Sequence, residues 1–381
     1  MSLALYNKFR PKNMDEVRGQ GHVKRVLCSQ VTTNSVMHAY LFTGPAGTGK
    51  TTCARLLAAM VNCSTGPNIK PPVSDRFVSQ ILSGRCDTDV SEIDAATNGG
   101  VDNVRKIRSE AALSPMEMAK KIYIIDECHR LTSAAWEGLL KIIEEPPSHV
   151  MFILCTTEPQ SVIDTVKTRC LILDFKPLSV QDVIGEIKRV AMAESIEIED
   201  EAVRAIACLS KGSARQAITW LAQLRDVAKD GGAKVTIDTV SKGIGVIPRA
   251  KARDFIQAVI NKRFVDALQA SSDVLAQGAI EADDFISQVA CYCHDIMLFG
   301  AKGYDWEAMG YTKTEVEELE KMKKLIEEKL PGVDYKFLAS RWIRVLQSCH
   351  RLSVFNMNQQ FQADLAFVDM IHTVRELSPK S

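Results

Sequence analysis

Long hydrophobic runs are missing from these 381 residues: none reaches the roughly 18 to 20 apolar positions that crossing a bilayer requires, so no membrane partner is expected. The opening, "MSLALYNKFRPKN", lacks the long apolar core of a secretory signal. With no export signal, the 11 cysteines read as reduced thiols of a cytoplasmic protein rather than as a disulfide framework. Internal repeats and low-complexity tracts are absent too, and aromatic residues make up only 6%. Net charge is also lacking, because 47 Lys and Arg balance 47 Asp and Glu, and composition alone does not announce a nucleic-acid binder. The distribution is less even. Residues 1–60 carry eight basic side chains against two acidic ones, whereas from Lys251 onward 16 basic face 19 acidic. A basic front suits the phosphates of a nucleotide or of DNA.

A chain of this length exceeds one ordinary core, and three domains are expected. The first part alternates apolar runs with helical patterns, as a parallel α/β sheet does. Strands are expected at "AYLFTG", "VSEID", "KIYIID", "VMFILCTT" and "CLILDF", and helices from near Gly49, Val101, Ser133 and Ser161. Pro177 breaks this pattern and Ser179 offers a helix cap. A helical segment follows, closed by a Gly-rich stretch, "DGGAKVTIDTVSKGIGVIP", that reads as turning into a linker. The remainder is helical and rich in Met and long aliphatics. The expected bounds are 1–178 for an α/β nucleotide-binding domain, 179–244 for a small helical lid, and 245–381 for an all-helical domain.

Gly44-Pro45-Ala46-Gly47-Thr48-Gly49-Lys50-Thr51 matches G-x-x-x-x-G-K-[ST] without a gap, between an apolar strand and a helical pattern that begins with Thr51 and Thr52. Backbone N–H groups of such a loop curl around phosphate oxygens, and the helix N-terminus adds positive potential. Lys50 is expected to reach the terminal phosphates of ATP and Thr51 to bind Mg²⁺. A P-loop of this kind needs an acidic counterpart, and "KIYIIDECH" ends a buried strand in Asp126 and Glu127. Asp126 is expected to hold the metal, and Glu127 to orient or deprotonate the attacking water.

Several further segments extend the pattern. "YNKFRPKNMDEVRGQ", "EIDAATN", "WEGLLKIIEEPPSHVMFILCTTEP", "TRC" at Thr168–Cys170 and "GSARQAITWLAQL" together resemble the AAA+ ATPases of the clamp-loader family, its bacterial gamma/tau group most closely, across residues 5–245. The resemblance implies a P-loop AAA+ sheet domain, a helical lid and a helical collar. It implies an ATPase that loads a sliding clamp onto primer-template DNA during replication, in a ring-like pentamer with other clamp-loader subunits. By the same resemblance Arg10, Pro11 and Val17 border the base, and Thr157, with Thr156 adjacent, is a first sensor of the γ-phosphate. Arg169 is an arginine finger for a neighbouring subunit, and Arg215 is a second sensor from the lid. Two departures are small: Thr168 stands where the family has serine, and Cys128 makes the acidic motif "DECH".

The family's insert after the P-loop helix holds zinc with four cysteines. Here Cys63 matches the first, while the other three positions fall on Pro72, Asp75 and Val78, and Cys86 lies elsewhere. A closed tetrahedral site needs all four ligands, so no zinc is expected and packing of "FVSQIL" is expected to hold the insert. Cys291-Tyr292-Cys293-His294 and Cys349-His350 read as core thiols and surface histidines, because neighbours on a helix point apart.

Arg105 and Arg108 are three apart on a helical pattern and share a face that suits successive DNA phosphates. A solvated face paired with Asp102 and Glu110 explains them equally well. Asn98-Gly99-Gly100 stands where relatives often carry more basic residues, which implies a weaker individual grip. The last domain has no catalytic signature, and a sequence ending after it is expected to be either the short family form or a longer form trimmed of its tail. Two competitors remain: another AAA+ nucleic-acid motor of the branch-migration type, and a scaffold that binds nucleotide without hydrolysis. The joint presence of Lys50, Thr51, Asp126, Glu127 and Arg215 argues against the scaffold.

Overall fold

Five apolar runs become five strands, each within a residue or two of its sequence pattern. In the computed structural model they are β1 (Ala39–Thr43), β2 (Val90–Asp94), β3 (Lys121–Asp126), β4 (Val150–Thr156) and β5 (Leu171–Asp174). The structure describes residues 4–84, 88–231, 234–244, 249–263, 282–301, 313–351 and 359–377, with positions 265, 266, 269, 272, 306 and 311. All neighbouring strand pairs are parallel, in the order β2-β3-β4-β1-β5. Covered on both faces, β1 and β4 are buried along their whole length, as strands of a parallel sheet must be.

Strand periodicity splits the core in two. Tyr40, Phe42, Ile122, Ile124, Met151 and Ile153 face one layer, and Leu41, Tyr123, Ile125, Phe152 and Leu154 face the other. Helices α1 (Leu5–Lys8) and α2 (Gly21–Thr32) precede β1, and α3 (Lys50–Val61) and α4 (Arg76–Ser83) follow it. Next come α5 (Ala95–Asn98) and α6 (Val101–Ala111) before β3, α7 (Ser133–Glu144) before β4, and α8 (Asp164–Lys167) before β5. Buried positions of α2, α3 and α4 join the first layer, and those of α6 and α7 join the second. The helix expected from Ser161 is only the four-residue α8, because Pro159 and Ser161 form a separate 3-10 turn. Val78 and Ile81 of "FVSQIL" turn inward from α4, and the insert is packed on that face.

Beyond β5 lie α9 (Val180–Ala193), α10 (Asp200–Leu209), α11 (Ala214–Gly231) and α12 (Ile237–Ile244). Two short strands, β6 (Glu197–Ile198) and β7 (Lys234–Val235), pair in parallel. The stretch expected to turn into a linker therefore carries β7 and α12 instead, anchored by buried Val235 and Val240. The last part contains α13 (Arg249–Ile260), α14 (Ala282–Leu298), α15 (Lys313–Lys329), α16 (Tyr335–Arg351) and α17 (Gln359–Leu377).

The chain divides into two compact units, residues 1–190 with 207–219, and residues 191–206 with 220–381. Among the described residues, an apolar core of the second unit gathers around Phe255, Tyr292, Trp342 and Phe367. Beside it lies a buried polar group. Arg204 of α10 pairs with Glu315 of α15, and Asp295 accepts from Arg249 and from the Tyr311 hydroxyl, both at 2.5 Å. The Arg204 guanidinium sits 3.4 Å from the centre of the Tyr311 ring. Cys293 is a core thiol as expected, but Cys291 is exposed, and the His350 side chain lies outside the described residues. Among the described residues no helix is long and apolar enough to cross a membrane.

Candidate nucleotide-binding site

The loop between β1 and α3 is tightly enclosed. Gly44 and Gly47 adopt φ of 134° and 75°. A β-carbon at Gly44 would overlap the Phe175 carbonyl oxygen, and one at Gly47 would overlap the Ser213 hydroxyl, so neither position tolerates a side chain. Gly49 starts α3 in the left-handed region, and Lys50 follows, 6% exposed. Its ammonium donates to the Gly44 and Pro45 carbonyls at 2.7 and 2.9 Å. Burial pushes the Lys50 pKa down, against the pull of Cys155, Asp126 and Glu127. The Thr48 hydroxyl donates to Pro45 O at 2.8 Å and closes the turn.

Gln20, absent from the sequence expectations as a site residue, locks this loop from outside. Its amide nitrogen donates to Lys176 O at 2.7 Å and to Thr48 O at 3.4 Å, and its amide oxygen accepts from Lys176 N at 3.2 Å. Gln20 itself has φ of 50°. The only sequence signal for this role is the "GQ" that ends the N-terminal motif.

On the acidic side, β3 delivers Asp126 to the sheet edge where α3 begins. The Thr51 hydroxyl donates to Asp126 Oδ2 at 2.7 Å, and Glu127 N donates to Oδ1 at 3.0 Å. Glu127 takes a left-handed φ of 48°, which turns its side chain away from the strand path. From the end of β4 the Thr157 hydroxyl donates to Glu127 Oε2 at 3.1 Å. The Cys155 thiol beneath is fully buried, and its pKa is raised chiefly by that burial.

These groups open on a cleft of about 170 Å³. Its lining includes Tyr6, Arg10, Pro11, Val17, Leu178 and Ile218, residues 46–52, and Asp126, Glu127 and Arg215. Arg215, near the start of α11, stacks over the Tyr6 ring at 4.8 Å. Arg10 lines the cleft, and burial lowers its pKa, helped by the charges of Arg55 and Arg215 and opposed by Glu92. The Arg10 guanidinium donates to Asn7 Oδ1 at 3.1 Å. Gly44 and Pro45 do not line the cleft; they hold Lys50 from behind.

The family "DNA polymerase III, delta subunit" matches residues 19–179. DNA polymerase III subunit tau of Bacillus subtilis is 34% identical over 296 residues, 78% of this chain and 52% of that protein. Subunit gamma/tau of Mycobacterium tuberculosis is 36% identical over 281 residues, 74% and 47% of the two chains. The chain is thus similar to the tau and gamma/tau subunits of DNA polymerase III over about three quarters of its own length. It spans about half the length of these curated relatives. Among solved structures, the RuvB Holliday junction branch migration motor of Thermotoga maritima aligns with a TM-score of 0.48 and 22% identity, covering 74% of this chain and 91% of that one.

The remaining expected residues divide into two groups. Thr157 sits on Glu127, and Arg215 and Thr52 line the cleft. Arg169 does not line it. The Arg169 guanidinium is held by Glu144 at 2.8 Å, by Thr165 O at 2.8 Å and by the Thr168 hydroxyl at 3.3 Å, on the outer surface after α8. Arg105 and Arg108 are both exposed on α6, and Arg105 makes a solvated pair with Asp102 at 3.2 Å.

At the family's zinc position, Asp75 is used locally. It caps α4 by accepting from Phe77 N and Val78 N, and it also takes the Ser64 N–H and hydroxyl. The buried Cys63 Sγ lies 3.8 Å from Asp75 Oδ2 and 3.3 Å from the Thr65 hydroxyl. Cys86 lies outside the described residues.

Proposed function

We propose that this chain is the ATP-hydrolysing subunit of a sliding-clamp loader. It would bind ATP with Mg²⁺ and act with other clamp-loader subunits in a ring-like pentamer. Coupled to hydrolysis, that assembly places the polymerase processivity clamp on primer-template DNA in the cytoplasm. The observation that carries the reading is the convergence of Lys50, Thr51, Asp126 and Glu127 on one cleft that Arg215 also lines, in a chain similar to gamma/tau subunits over three quarters of its length.

The residues divide the work. The N–H groups of residues 46–51 cradle the phosphates, and Lys50 exchanges the Gly44 and Pro45 carbonyls for the terminal phosphate oxygens. Thr51 and Asp126 present a hydroxyl and a carboxylate to each other, a hard oxygen pair that fits Mg²⁺. The metal, when bound, neutralises charge building on the β and γ phosphates. Glu127 takes the proton of the attacking water, and Thr157, bonded to Glu127, senses the γ-phosphate. Arg215 contacts the phosphates from α11, while Tyr6, Pro11 and Val17 enclose the base and Arg10 spans from base to phosphates. Arg169, off its own cleft, serves the nucleotide of a neighbouring subunit, so that hydrolysis depends on assembly. Arg105 and Arg108 meet DNA phosphates. In functional terms we divide the chain at 1–178, 179–244 and 245–381, the last part acting as a collar between subunits.

The deciding experiment is steady-state ATP hydrolysis by the chain with its co-purifying subunits and clamp, on primed and on blunt DNA. Stimulation that needs both the clamp and a primer-template junction is expected. Hydrolysis indifferent to the clamp and responsive to any DNA would overturn the reading in favour of another AAA+ motor.

A further inference from the structure

Between β3 and α7 the chain makes a 3-10 turn, Cys128–Arg130, that carries His129 inward until its side chain is 7% exposed. Neither the nucleotide nor the metal reading uses this residue. Its Nδ1 lies 3.1 Å from the Thr156 hydroxyl and 3.4 Å from Glu127 Oε2, and its Nε2 lies 3.6 Å from Glu158 Oε1. Thr156, fully buried at the end of β4, accepts from Glu158 N at 3.0 Å, and Glu158 is tied further by the Ser161 hydroxyl at 3.1 Å. The imidazole therefore rests on an anchored strand end and reaches the same carboxylate oxygen of Glu127 that Thr157 holds.

Glu127 needs such support. Its backbone occupies the left-handed region, which a non-glycine residue adopts only when its surroundings hold it there. Its long side chain would otherwise sample several rotamers, and a carboxylate misplaced by about 1 Å can lose roughly 100-fold in rate. A histidine that merely filled space would satisfy its ring nitrogens on carbonyls or water. Here Nδ1 is bonded to the Thr156 hydroxyl, and a carboxylate flanks each nitrogen, Glu127 at 3.4 Å from Nδ1 and Glu158 at 3.6 Å from Nε2.

We infer that His129 is a positioning residue for Glu127, its ring fixed by Thr156 and Glu158 so that Nδ1 sets the orientation of the Glu127 carboxylate. The inference rests on the reading of Glu127 as the group that receives the proton of the attacking water.

The test uses the assembled loader with clamp and primed DNA, and compares the maximal hydrolysis rate with the affinity for a fluorescent ATP analogue. His129→Ala is expected to lower the rate about 10- to 100-fold, with affinity and thermal midpoint kept. His129→Asn, which keeps a donor near the Nδ1 position, recovers much of the rate. His129→Gln, whose amide reaches toward Glu158 instead, stays slow. On a Glu127→Gln background His129→Ala adds no further loss, because it acts through that carboxylate. Equal rates for the Asn and Gln variants, an additive loss on the Glu127→Gln background, or a His129→Ala rate within about two-fold of wild type would each overturn the inference. Should Glu127→Gln itself hydrolyse at the wild-type rate, the reading of Glu127 falls and takes the inference with it. A slow Glu127→Gln beside an unaffected His129→Ala removes the inference alone.

Discussion

At the residue scale, Asp75 shows how one carboxylate holds an insert. Burial alone would raise its pKa, but donors from Ser64, Val78 and Phe77 outweigh that and hold it below the ordinary value of 3.8. Asp89 behaves alike: burial opposes, while the N–H groups of Glu117, Met116 and Met118 and the charge of Lys121 prevail. A depressed carboxyl contributes its full stability above its unfolded pKa and loses it as pH falls through the folded value. Acid unfolding of the sheet unit should therefore include both groups titrating below 3.8, with Asp75→Asn removing part of the acid dependence in a pH series of unfolding midpoints. Asp75→Ala should cost about 1 to 3 kcal/mol, the loss of a helix cap together with the Ser64 pairing, seen as a lower thermal midpoint. Arg169 belongs to the same scale. Since it lies off its own cleft, Arg169→Ala should leave ATP-analogue affinity of the isolated chain unchanged. Hydrolysis in the assembly should fall by about 10³-fold or more in steady-state assays. A parallel loss of affinity would remove the finger in trans.

At the element scale, α10 and α15 are joined through a buried charge pair rather than through apolar contact alone. Arg204 and Glu315 are 6% and 9% exposed, and Arg249, Asp295 and Tyr311 extend the group. Removing one member of such a pair strands the other, which typically costs about 3 to 5 kcal/mol, whereas an apolar replacement of both can be neutral. Arg204→Met should accordingly lower the unfolding midpoint of the second unit, and Arg204→Met with Glu315→Leu should restore most of it. Calorimetry of the two variants checks this. The helix boundaries have simpler causes. Asp75 and Gly84 delimit α4 as cap and left-handed stop, and Thr132 caps α7 by accepting from Ala135 N.

At the scale of the whole molecule, a net charge of zero conceals a basic leading segment and an α6 whose exposed arginines suit DNA. If Arg105 and Arg108 each meet one phosphate, replacing both with Ala should weaken DNA binding regardless of sequence. The slope of log affinity against log salt should flatten by about 2, measured by titration at several salt concentrations. An unchanged slope would return both arginines to a solvated helix face, where Arg105 already pairs with Asp102.

Local pattern carried the strands, the P-loop and the acidic motif, because a buried parallel strand must be apolar throughout and a phosphate loop must have glycine where a β-carbon would collide. From the order of residues one also reads that Asp126 and Glu127 end a strand and that α3 starts at the loop. Long-range pairing was not legible. Gln20 reaches Lys176, Thr157 reaches Glu127, and Arg204 reaches Glu315, each across a separation at which periodicity has no memory. The strand of "DGGAKVTIDTVSKGIGVIP" escaped for the same reason, since two residues of β7 become a strand only when β6 supplies their partners. The sequence by itself thus determined the five strands of the sheet and most of the residues that line the cleft. Only the tertiary structure decided that Arg169 stands apart from its own cleft while His129 lies against Glu127, since those positions follow from packing of the whole sheet unit and not from any local propensity.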